Sequence, residues 1–223
     1  MKTMKKIFSM LLLVVFAVAL MSCGGKDNNK KDDPTPEPTP STELDKALDA
    51  KWEGNLKDRK VYLTTCGQAD SGVIASILLN CGIGDTAYTS KDLLTAKEVS
   101  DAIEGTEVPA VLLVIGASSK GLGAAGVDVD DEVARAEAFV ALADSGKIEL
   151  IVMHVGGSAR RGATSDPIIK VATPAADLLL VVNTGNSDGY FTTTATANSI
   201  ELYLYKKNSG LLAAFKTLFG VAA

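Results

Sequence analysis

One short segment of the sequence concentrates residue types that do chemistry. HVGGSARRGATSD, residues 154–166, contains the chain's single histidine, two adjacent arginines and a Ser-Asp pair. Arginine keeps its charge and presents paired donors that suit carboxylate and phosphate oxygens. Histidine and aspartate are common proton-transfer groups near neutral pH. The segment predicts a site for a small anionic group, with His154, Arg160 and Arg161 as its first candidates.

The same residues also have structural interpretations. Ser165 and Asp166 suit the N-cap of a following helix, and a histidine at a strand end is more often a hydrogen-bonded structural residue. One histidine gives no metal-ligand cluster, so no metal site is predicted. Adjacent arginines repel each other unless an anion or acids lie between them. The acids available for this are Asp70, Asp166 and Asp188.

A glycine-rich segment adds a second group of candidates. In GASSKGLGAAG, residues 116–126, backbone N–H groups of the glycines can surround an anion beside Lys120 and two serines. GLGAAG matches G-x-G-x-x-G, but these glycines do not follow a strand directly, so NAD binding is not expected. Leu122 occupies the position of the P-loop lysine, so P-loop nucleotide binding is not expected either. The cofactor, if there is one, stays unidentified.

The segment CGQADSG, residues 66–72, adds a thiol to the catalytic candidates. Cys66 would need His154 nearby to act as a nucleophile. Cys66 and Cys81 bracket a predicted helix, which separates them by roughly 18 Å at about 1.5 Å per residue. A disulfide requires less than about 7 Å between Cα atoms. Two free thiols are therefore expected, and the catalytic candidates are His154, Asp166 and Cys66.

The pattern of apolar runs predicts the elements that position these residues. Five apolar runs alternate with segments of helix length, which indicates a mostly parallel five-stranded sheet in a three-layer α/β sandwich, Rossmann-like or flavodoxin-like. Continuous rather than alternating apolarity indicates strands that are covered on both faces. Strands are predicted at residues 60–65, 110–116, 148–155, 177–183 and 200–205, and helices at 69–80, 96–104, 130–145, 166–175, 189–198 and 211–220.

The segments that leave the predicted strands are longer and more polar than those that enter them. In a parallel sheet the leaving segments share the carboxyl edge, where open α/β folds bind ligands. The predicted ligand-binding residues are therefore Gln68, Asp70, Ser118, Ser119, Lys120, Gly121, Gly123, His154, Gly156, Gly157, Arg160, Arg161, Ser165 and Asp188.

Three blocks of the sequence carry a family resemblance. TTCGQAD, GASSKGLGAAG and HVGGSARRGATSD, in this order, resemble an uncharacterised family of bacterial and archaeal proteins that contain a domain of unknown function. The pattern reads GQAD, GASSKGLGAAG and HxGGxxRRGxxSD, and the likeness covers residues 60 to about 205. The family implies no reaction, so the resemblance supports the domain and leaves its chemistry open.

The beginning of the chain predicts export and anchoring. Residues 1–22 combine early lysines with an apolar stretch too short to span a membrane comfortably, which is typical of a signal peptide. The ending LMSC resembles the lipobox of bacterial lipoproteins, in which Cys23 is lipidated. Residues 23–43 are polar and proline-rich, which predicts a disordered tether, and residues 44–223 form a single α/β domain. The expected location is the cell envelope, at the outer membrane, facing the periplasm or the surface.

Composition narrows the function classes. A formal net charge of -5 and no basic stripe argue against nucleic-acid binding. The favoured interpretation is a membrane-anchored lipoprotein whose domain binds a small anionic ligand, because no nucleophile, base and orienting group stand together. An alternative is a hydrolase or transferase for a phosphorylated or carboxylated substrate, and a further alternative is a surface scaffold. The oligomeric state is left open.

Overall fold

The computed structural model describes residues 43–222, which form an α/β domain around an all-parallel sheet. The predicted signal peptide, most of the tether and Cys23 lie outside the described residues. Within them the sheet has six strands in the order β2-β1-β3-β4-β5-β6. The strands are β1 (Val61–Cys66), β2 (Thr89–Ser90), β3 (Ala110–Ile115), β4 (Glu149–His154), β5 (Leu178–Val182) and β6 (Glu201–Tyr205).

Seven α-helices of the described chain flank this sheet. They are α1 (Ser71–Asn80), α2 (Ala96–Asp101), α3 (Ser119–Ala125), α4 (Val129–Asp144), α5 (Asp166–Ala172), α6 (Tyr190–Asn198) and α7 (Leu211–Phe219). None of the helices in residues 43–222 is both long and apolar enough to cross a membrane. The predicted Rossmann-like α/β sandwich is confirmed.

The strand count differs from the sequence prediction, which gave five strands. The additional strand, β2, has only two residues, and both are exposed. It pairs in parallel with Tyr62 and Leu63 of β1 at one edge of the sheet. An apolar run marks strands buried on both faces, so a short exposed edge strand carries no such signal.

The sheet separates two apolar cores, which explains the continuous apolar runs. α1 and α7 pack on one face, together with Leu48, Trp52 and Leu56 from the segment before β1. α2, α4, α5 and α6 pack on the other face. Every residue of β1, β3 and β5 is buried. Strands in such a sheet need apolar side chains at successive positions, because both faces are covered.

The segment before β1 covers the far edge of the sheet. Leu44 forms a parallel bridge with Leu204 of β6, and the indole N–H of Trp52 donates to Glu201 at 2.5 Å. An uncovered strand edge exposes unpaired backbone groups and promotes association between chains. This segment therefore protects β6, and it enters the domain near the carboxyl end of that strand.

Candidate functional site

The carboxyl ends of β1 and β3 form the point at which the strand order reverses, since β2 lies on one side of β1 and β3 lies on the other. Ligands of open α/β sheets bind at such reversals. Here the two departing segments touch each other directly. The Ser118 N–H donates to the Gly67 carbonyl at 3.0 Å, and the Gly116 N–H donates to the Cys66 carbonyl at 3.2 Å. Backbone contacts therefore fix both sides of this crevice.

The segment after β1 has an unusual backbone. Gln68 has a φ of 55° and Asp70 a φ of 65°, and this left-handed region is uncommon for residues other than glycine. Such conformations cost on the order of 1–3 kcal/mol each and persist only where surrounding contacts impose them; they cluster at binding and catalytic sites. The left-handed backbone is thus an independent pointer to the segment that carries Gln68 and Asp70.

A buried ion pair on α4 holds the beginning of this segment, at Gly67 and Gln68. The Glu132 carboxylate accepts the Gly67 N–H at 2.5 Å and the Gln68 side-chain amide at 3.1 Å. Glu132 is 1% exposed and pairs with Arg135 at 2.6 Å. Arg135 also donates to the Leu94 carbonyl at 2.9 Å and to the Thr65 carbonyl. The pair therefore ties α4 to the end of β1.

Sequence reasoning missed the role of Glu132 and Arg135, although a signal was present. Glu132, Ala136 and Phe139 recur at helical spacing and are all buried. An acid on an otherwise apolar helix face, with an arginine three residues later, predicts a buried charged pair. The candidate residues were taken from the polar segments that follow the strands, whereas Glu132 and Arg135 lie within a helix.

Arg160 crosses from the segment after β4 to the beginning of α1. Its Nε donates to Asp70 Oδ2 at 3.1 Å, and the two side chains are 31% and 16% exposed. The arginine stem lies directly against Gly156, where an added Cβ would come within 1.9 Å of the Arg160 Cγ. Within residues 43–222 the two terminal Nη atoms have no hydrogen-bond partner. They are the unengaged cationic donors of this site.

The N-terminus of α1 is open beside Arg160. Asp70 occupies the N-cap position, but its side chain makes no cap hydrogen bond and instead receives Arg160. A Cβ placed on Gly72, in the first turn, would meet no atom within 4 Å. The first N–H groups of a helix lack intrahelical partners and attract negative charge. The Ser71 and Val73 N–H groups already donate to the Ala69 and Asp70 carbonyls at 3.0 Å each. Within residues 43–222 the Gly72 N–H is therefore the first-turn donor that remains beside Arg160.

Arg161 has a different environment, although it is the next residue. Its Nε donates to Asp166 at 2.9 Å, and its two Nη atoms donate to the two carboxylate oxygens of Asp188 at 3.0 and 2.7 Å. It also donates to the Gly185 carbonyl, and it lies 5.6 Å from the ring centroid of Phe191. These contacts occupy the guanidinium and join the segments that follow β4 and β5.

The acids around Arg161 are held in their ionised forms. The hydrogen bond from Arg161 lowers the pKa of Asp188 to about 2. Burial raises the pKa of Asp166, but the bonds from Arg161 and the Gly162 N–H outweigh it and keep this pKa below its ordinary value. Asp166, a catalytic candidate from the sequence, is therefore an ion-pair partner of Arg161.

Ser165 occupies the predicted N-cap position of α5, but its side chain does not form the expected cap. Ser165 precedes α5, but its backbone is already helical, with φ -93° and ψ -38°, and its side chain caps nothing. Its hydroxyl oxygen accepts the Ala117 N–H at 2.8 Å instead. Ser165 is buried, so it satisfies a backbone donor of the segment after β3. The chain uses it to join neighbouring segments at the carboxyl edge.

The predicted backbone nest at residues 121–126 is wrong, because most of that segment belongs to α3. The Ser118 hydroxyl caps the helix by accepting the Gly121 N–H at 3.2 Å, and the Ser118 carbonyl accepts the Leu122 N–H at 2.8 Å. Glycine disfavours helices by about 1 kcal/mol relative to alanine, but this cap and the burial of Leu122 support α3.

Placement within α3 separates the remaining candidates of this segment. Ser119 and Lys120 are exposed in its first turn. Lys120 makes no hydrogen bond or ion pair with any residue in 43–222, so its charge is free. Gly121 packs against the Gln68 carbonyl, while Gly123 faces open space. Lys120 therefore adds positive charge near the crevice without being fixed in it.

Comparison with known proteins places this site within a family. Residues 58–219 match the sequence model of the family described as domain of unknown function DUF6305. The chain belongs to this family. The match extends from before β1 to the end of α7, so it includes Arg160, Asp70 and the ion pair beneath them. No curated protein and no solved structure matches the chain significantly.

His154 of this DUF6305 domain is wholly buried at the end of β4. Its Nδ1 lies 3.1 Å from the Ile115 carbonyl oxygen and its Nε2 lies 3.1 Å from the Gly157 carbonyl oxygen. The ring stacks on Phe191 at 5.1 Å and lies so close to Gly185 that a Cβ there would come within 2.4 Å. Burial is the largest single influence on its pKa, and the net shift is downward although the two carbonyl contacts raise the pKa. His154 therefore has a structural position without direct access to a ligand.

The thiols have no place in the site chemistry. Cys66 is buried, and burial raises its pKa to about 12, so it is a neutral thiol at ordinary pH and a poor nucleophile. Cys66 packs in one core and Cys81 in the other, on opposite faces of the sheet. Both are free, which confirms the predicted absence of a bridge between them. In the described residues no group of three His, Cys, Asp or Glu side chains is arranged to hold a metal.

Proposed function

We propose that this domain binds a small anionic molecule at the N-terminus of α1, with Arg160 as the charged group that receives it. The observation that carries the proposal is the geometry of Arg160. Asp70 holds its Nε edge at 3.1 Å, which leaves the two Nη atoms as a fork beside the start of the helix, where Gly72 faces open space. A guanidinium fixed along one edge is already oriented, so less entropy is lost when an anion binds.

The strength expected of such a site follows from its groups. Hydrogen bonds to a charged group contribute about 1.5–3 kcal/mol each, and a helix N-terminus contributes about 0.3–1 kcal/mol toward an anion. These terms are offset by the ordering of the ligand. We therefore expect modest affinity for inorganic anions and higher affinity for a ligand that makes further contacts.

Charge balance restricts the ligand further. The ion pairs at this edge contain the arginines 135, 160 and 161 and the four carboxylates of Asp70, Glu132, Asp166 and Asp188. With Lys120 added, positive and negative charges are equal in number. A balanced site does not attract highly charged polyanions over long distances. It fits a carboxylate, sulfate or phosphate group better than a nucleic acid.

The catalytic alternative has less support from the arrangement of residues. His154 and Cys66 are buried, and Asp166 is engaged by Arg161. A hydrolase or transferase needs a base within reach of its substrate, and none of these three candidates presents one. Nothing specific favours the scaffold alternative either, so anion binding is the single function that we put forward.

The anchoring of this domain is a proposal from sequence alone. LMSC behind the basic and apolar leader supports lipidation of Cys23, which would hold the protein at a membrane of the cell envelope, the outer membrane by preference. Cys23→Ala should move the expressed protein from the membrane fraction to the soluble fraction. Continued membrane association of that variant after a salt wash would contradict the lipid anchor.

Binding is tested with the full chain by thermal shift and calorimetry against sulfate, phosphate, simple carboxylates and nucleotides. Arg160→Gln should weaken binding of any hit by about tenfold or more, because one charge-assisted contact is lost. Lys97→Gln, which removes an exposed charge from α2, is the matched control and should bind normally. Unchanged affinity in Arg160→Gln would refute the site.

A further inference from the structure

The environment of His154 contains an imbalance of donors and acceptors. Both ring nitrogens lie 3.1 Å from backbone carbonyl oxygens, those of Ile115 and Gly157. A carbonyl oxygen only accepts hydrogen bonds, and a neutral imidazole has one N–H and one lone pair. The neutral ring can therefore donate to one of these two carbonyls and leaves the other opposite a lone pair. Only the protonated ring donates to both.

The two carbonyls belong to the parts of the chain that hold Arg160. Ile115 is the last residue of β3 and precedes Gly116, where a Cβ would lie 3.0 Å from the Arg160 Cβ and 3.6 Å from the His154 Nδ1. Gly157 begins the 3-10 turn Gly157–Arg160, which ends at the arginine itself. His154 thus lies close beneath the arginine stem and contacts both the strand end and the turn.

The two carbonyls are not equally able to move. Ile115 forms the last pair of the β1–β3 ladder, with Cys66, whereas Gly157 lies outside the sheet in a short turn and has a positive φ of 58°. When the ring has a single proton to donate, the carbonyl of the sheet stays in place and the turn adjusts. Loss of the second donor is therefore expected to loosen the Gly157–Arg160 turn.

We propose that protonation of His154 fixes the Gly157–Arg160 turn by hydrogen bonds to both carbonyls, and that deprotonation releases the turn and with it Arg160. The charged groups that act on the ring are Asp70, from the N-cap of α1, and Arg161, which follows the turn. The aliphatic stem of Arg160 lies against Gly116 beside the ring. α6 contributes Phe191, which is uncharged, on the ring face.

The pH range of this device follows from the surroundings of the ring. Burial, the largest single cause, lowers the pKa of His154, the two carbonyls raise it, Arg161 lowers it and Asp70 raises it, and the net shift is downward. The transition therefore lies below the ordinary histidine value of 6.5. The turn is held at pH values below the lowered pKa of His154 and released above it.

If the proposed anion site is correct, the same proton regulates it. A protonated His154 adds a positive charge beneath Arg160 and keeps the guanidinium in position, so anion affinity rises as pH falls. Linkage requires the reciprocal effect, in which a bound anion raises the pKa of His154. This consequence rests on the proposed function, whereas the coupling between His154 and the turn does not.

The coupling is tested by NMR on the unliganded full chain with isotope-labelled histidine. The chain has one histidine, so the ring signals are unambiguous if no histidine tag is used. We expect a single titration below pH 6.5, with both ring nitrogens protonated at its acid end. The Gly157 carbonyl carbon and the Arg160 Nε–H signals should move with the same midpoint. A ring that never titrates in the folded protein, or a Gly157 carbonyl that ignores the titration, overturns the proposal.

The regulation is tested with sulfate, which is a strong-acid anion and keeps its charge across the His154 titration. Affinity should rise at least about fivefold from the basic end to the acid end of the measured His154 titration, and Arg160→Gln should abolish the rise. Saturating sulfate should shift the His154 titration to higher pH. Sulfate binding with equal affinity at both ends overturns the regulation. No sulfate binding at any pH overturns the anion site, while the titration of the unliganded chain still decides the coupling.

Discussion

Arg160 and Arg161 are neighbours in the chain but belong to two different regions of the carboxyl edge. Arg161 is 17% exposed and directs all three guanidinium nitrogens to Asp166, Asp188 and the Gly185 carbonyl. Arg160 is 31% exposed and uses only Nε, toward Asp70. Arg161 therefore joins the segments after β4 and β5. Arg160 reaches the N-terminus of α1 and keeps two Nη donors without a partner in residues 43–222.

The difference shows how a short turn divides two like charges. Arg160 ends the 3-10 turn that begins at Gly157, and Arg161 follows in extended conformation with ψ near 161°. The change of backbone conformation directs the two side chains to separate acids, which removes the repulsion between them. Adjacent arginines in a sequence therefore do not indicate one shared anion site. The role of each arginine depends on the acids that it contacts.

The largest effect should come from the buried pair beneath the Arg160 region. Glu132→Ala leaves Arg135 buried without its carboxylate and removes the acceptor of the Gly67 N–H. Removing one partner of a buried pair costs about 3–5 kcal/mol. We expect a loss of this size in the free energy of unfolding, measured by urea denaturation.

Glu137→Ala is the matched control, because Glu137 lies on the exposed side of the same helix. It should change stability by less than about 0.5 kcal/mol. Equal stability of Glu132→Ala and Glu137→Ala would mean that the pair does not hold the strained segment at Gln68 and Asp70. The buried pair would then not be the support of the segment that carries Asp70, the partner of Arg160.

The two arginines should separate in stability measurements. Arg161→Ala removes several charge-assisted bonds from a mostly buried group and should destabilise the domain by about 2–3 kcal/mol. Arg160→Ala removes one partly exposed ion pair and should cost about 1 kcal/mol or less. Urea denaturation of both variants measures the difference. A greater loss for Arg160→Ala would reverse the roles assigned to them.

The fold could be predicted from the sequence to a large extent because its signals are local. β1, β3, β4, β5 and β6 are apolar runs buried on both faces, so each has the composition that a parallel sheet requires. β2 consists of two exposed residues held by pairing with β1. α3 contains two glycines in its seven residues and depends on the Ser118 cap and on Leu122. Both β2 and α3 depend on tertiary contacts, so their local sequences do not predict them.

The site was predictable in location and less so in detail. Topology alone brings Asp70, Arg160 and Asp188 to one edge, because residues after parallel strands share that edge. Partner choice is a tertiary property. The sequence named Asp70, Asp166 and Asp188 as acids for the two arginines, but it did not indicate which acid each arginine would bind. Nor did it indicate that Ser165 would accept the Ala117 N–H. Glu132 lay outside the expected segments, and its buried position was readable only from the helix face.

Gly156 offers a way to disturb the Arg160 region without changing a charge. An alanine Cβ at this position would lie 1.9 Å from the Arg160 Cγ and 2.5 Å from Asp70 Oδ2, so the arginine stem must move. We expect Gly156→Ala to reduce anion affinity by about tenfold and stability by about 1 kcal/mol. Gly123→Ala, in open space on α3, is the control by calorimetry. Normal anion binding in Gly156→Ala would show that the position of Arg160 is unimportant.

The smallest expected effect is on the unfolding free energy at acid pH, and it distinguishes the Arg161 region from the Arg160 region. The pKa of Asp188 is lowered from its ordinary 3.8 to about 2, chiefly by the hydrogen bond from Arg161. A carboxyl whose pKa is lower in the folded protein stabilises it above the ordinary pKa, and this stabilisation is lost as pH falls through the folded value. Unfolding free energy should therefore decline between about pH 4 and pH 2 through this group. Because Asp188 is about half exposed, solvent screening keeps the effect small.

Arg161→Gln should remove the Asp188 part of this decline in unfolding free energy, and Arg160→Gln should retain it. Denaturation at pH 4, 3 and 2 measures the difference, and parallel curves for the two variants would contradict the assignment of Asp188 to Arg161.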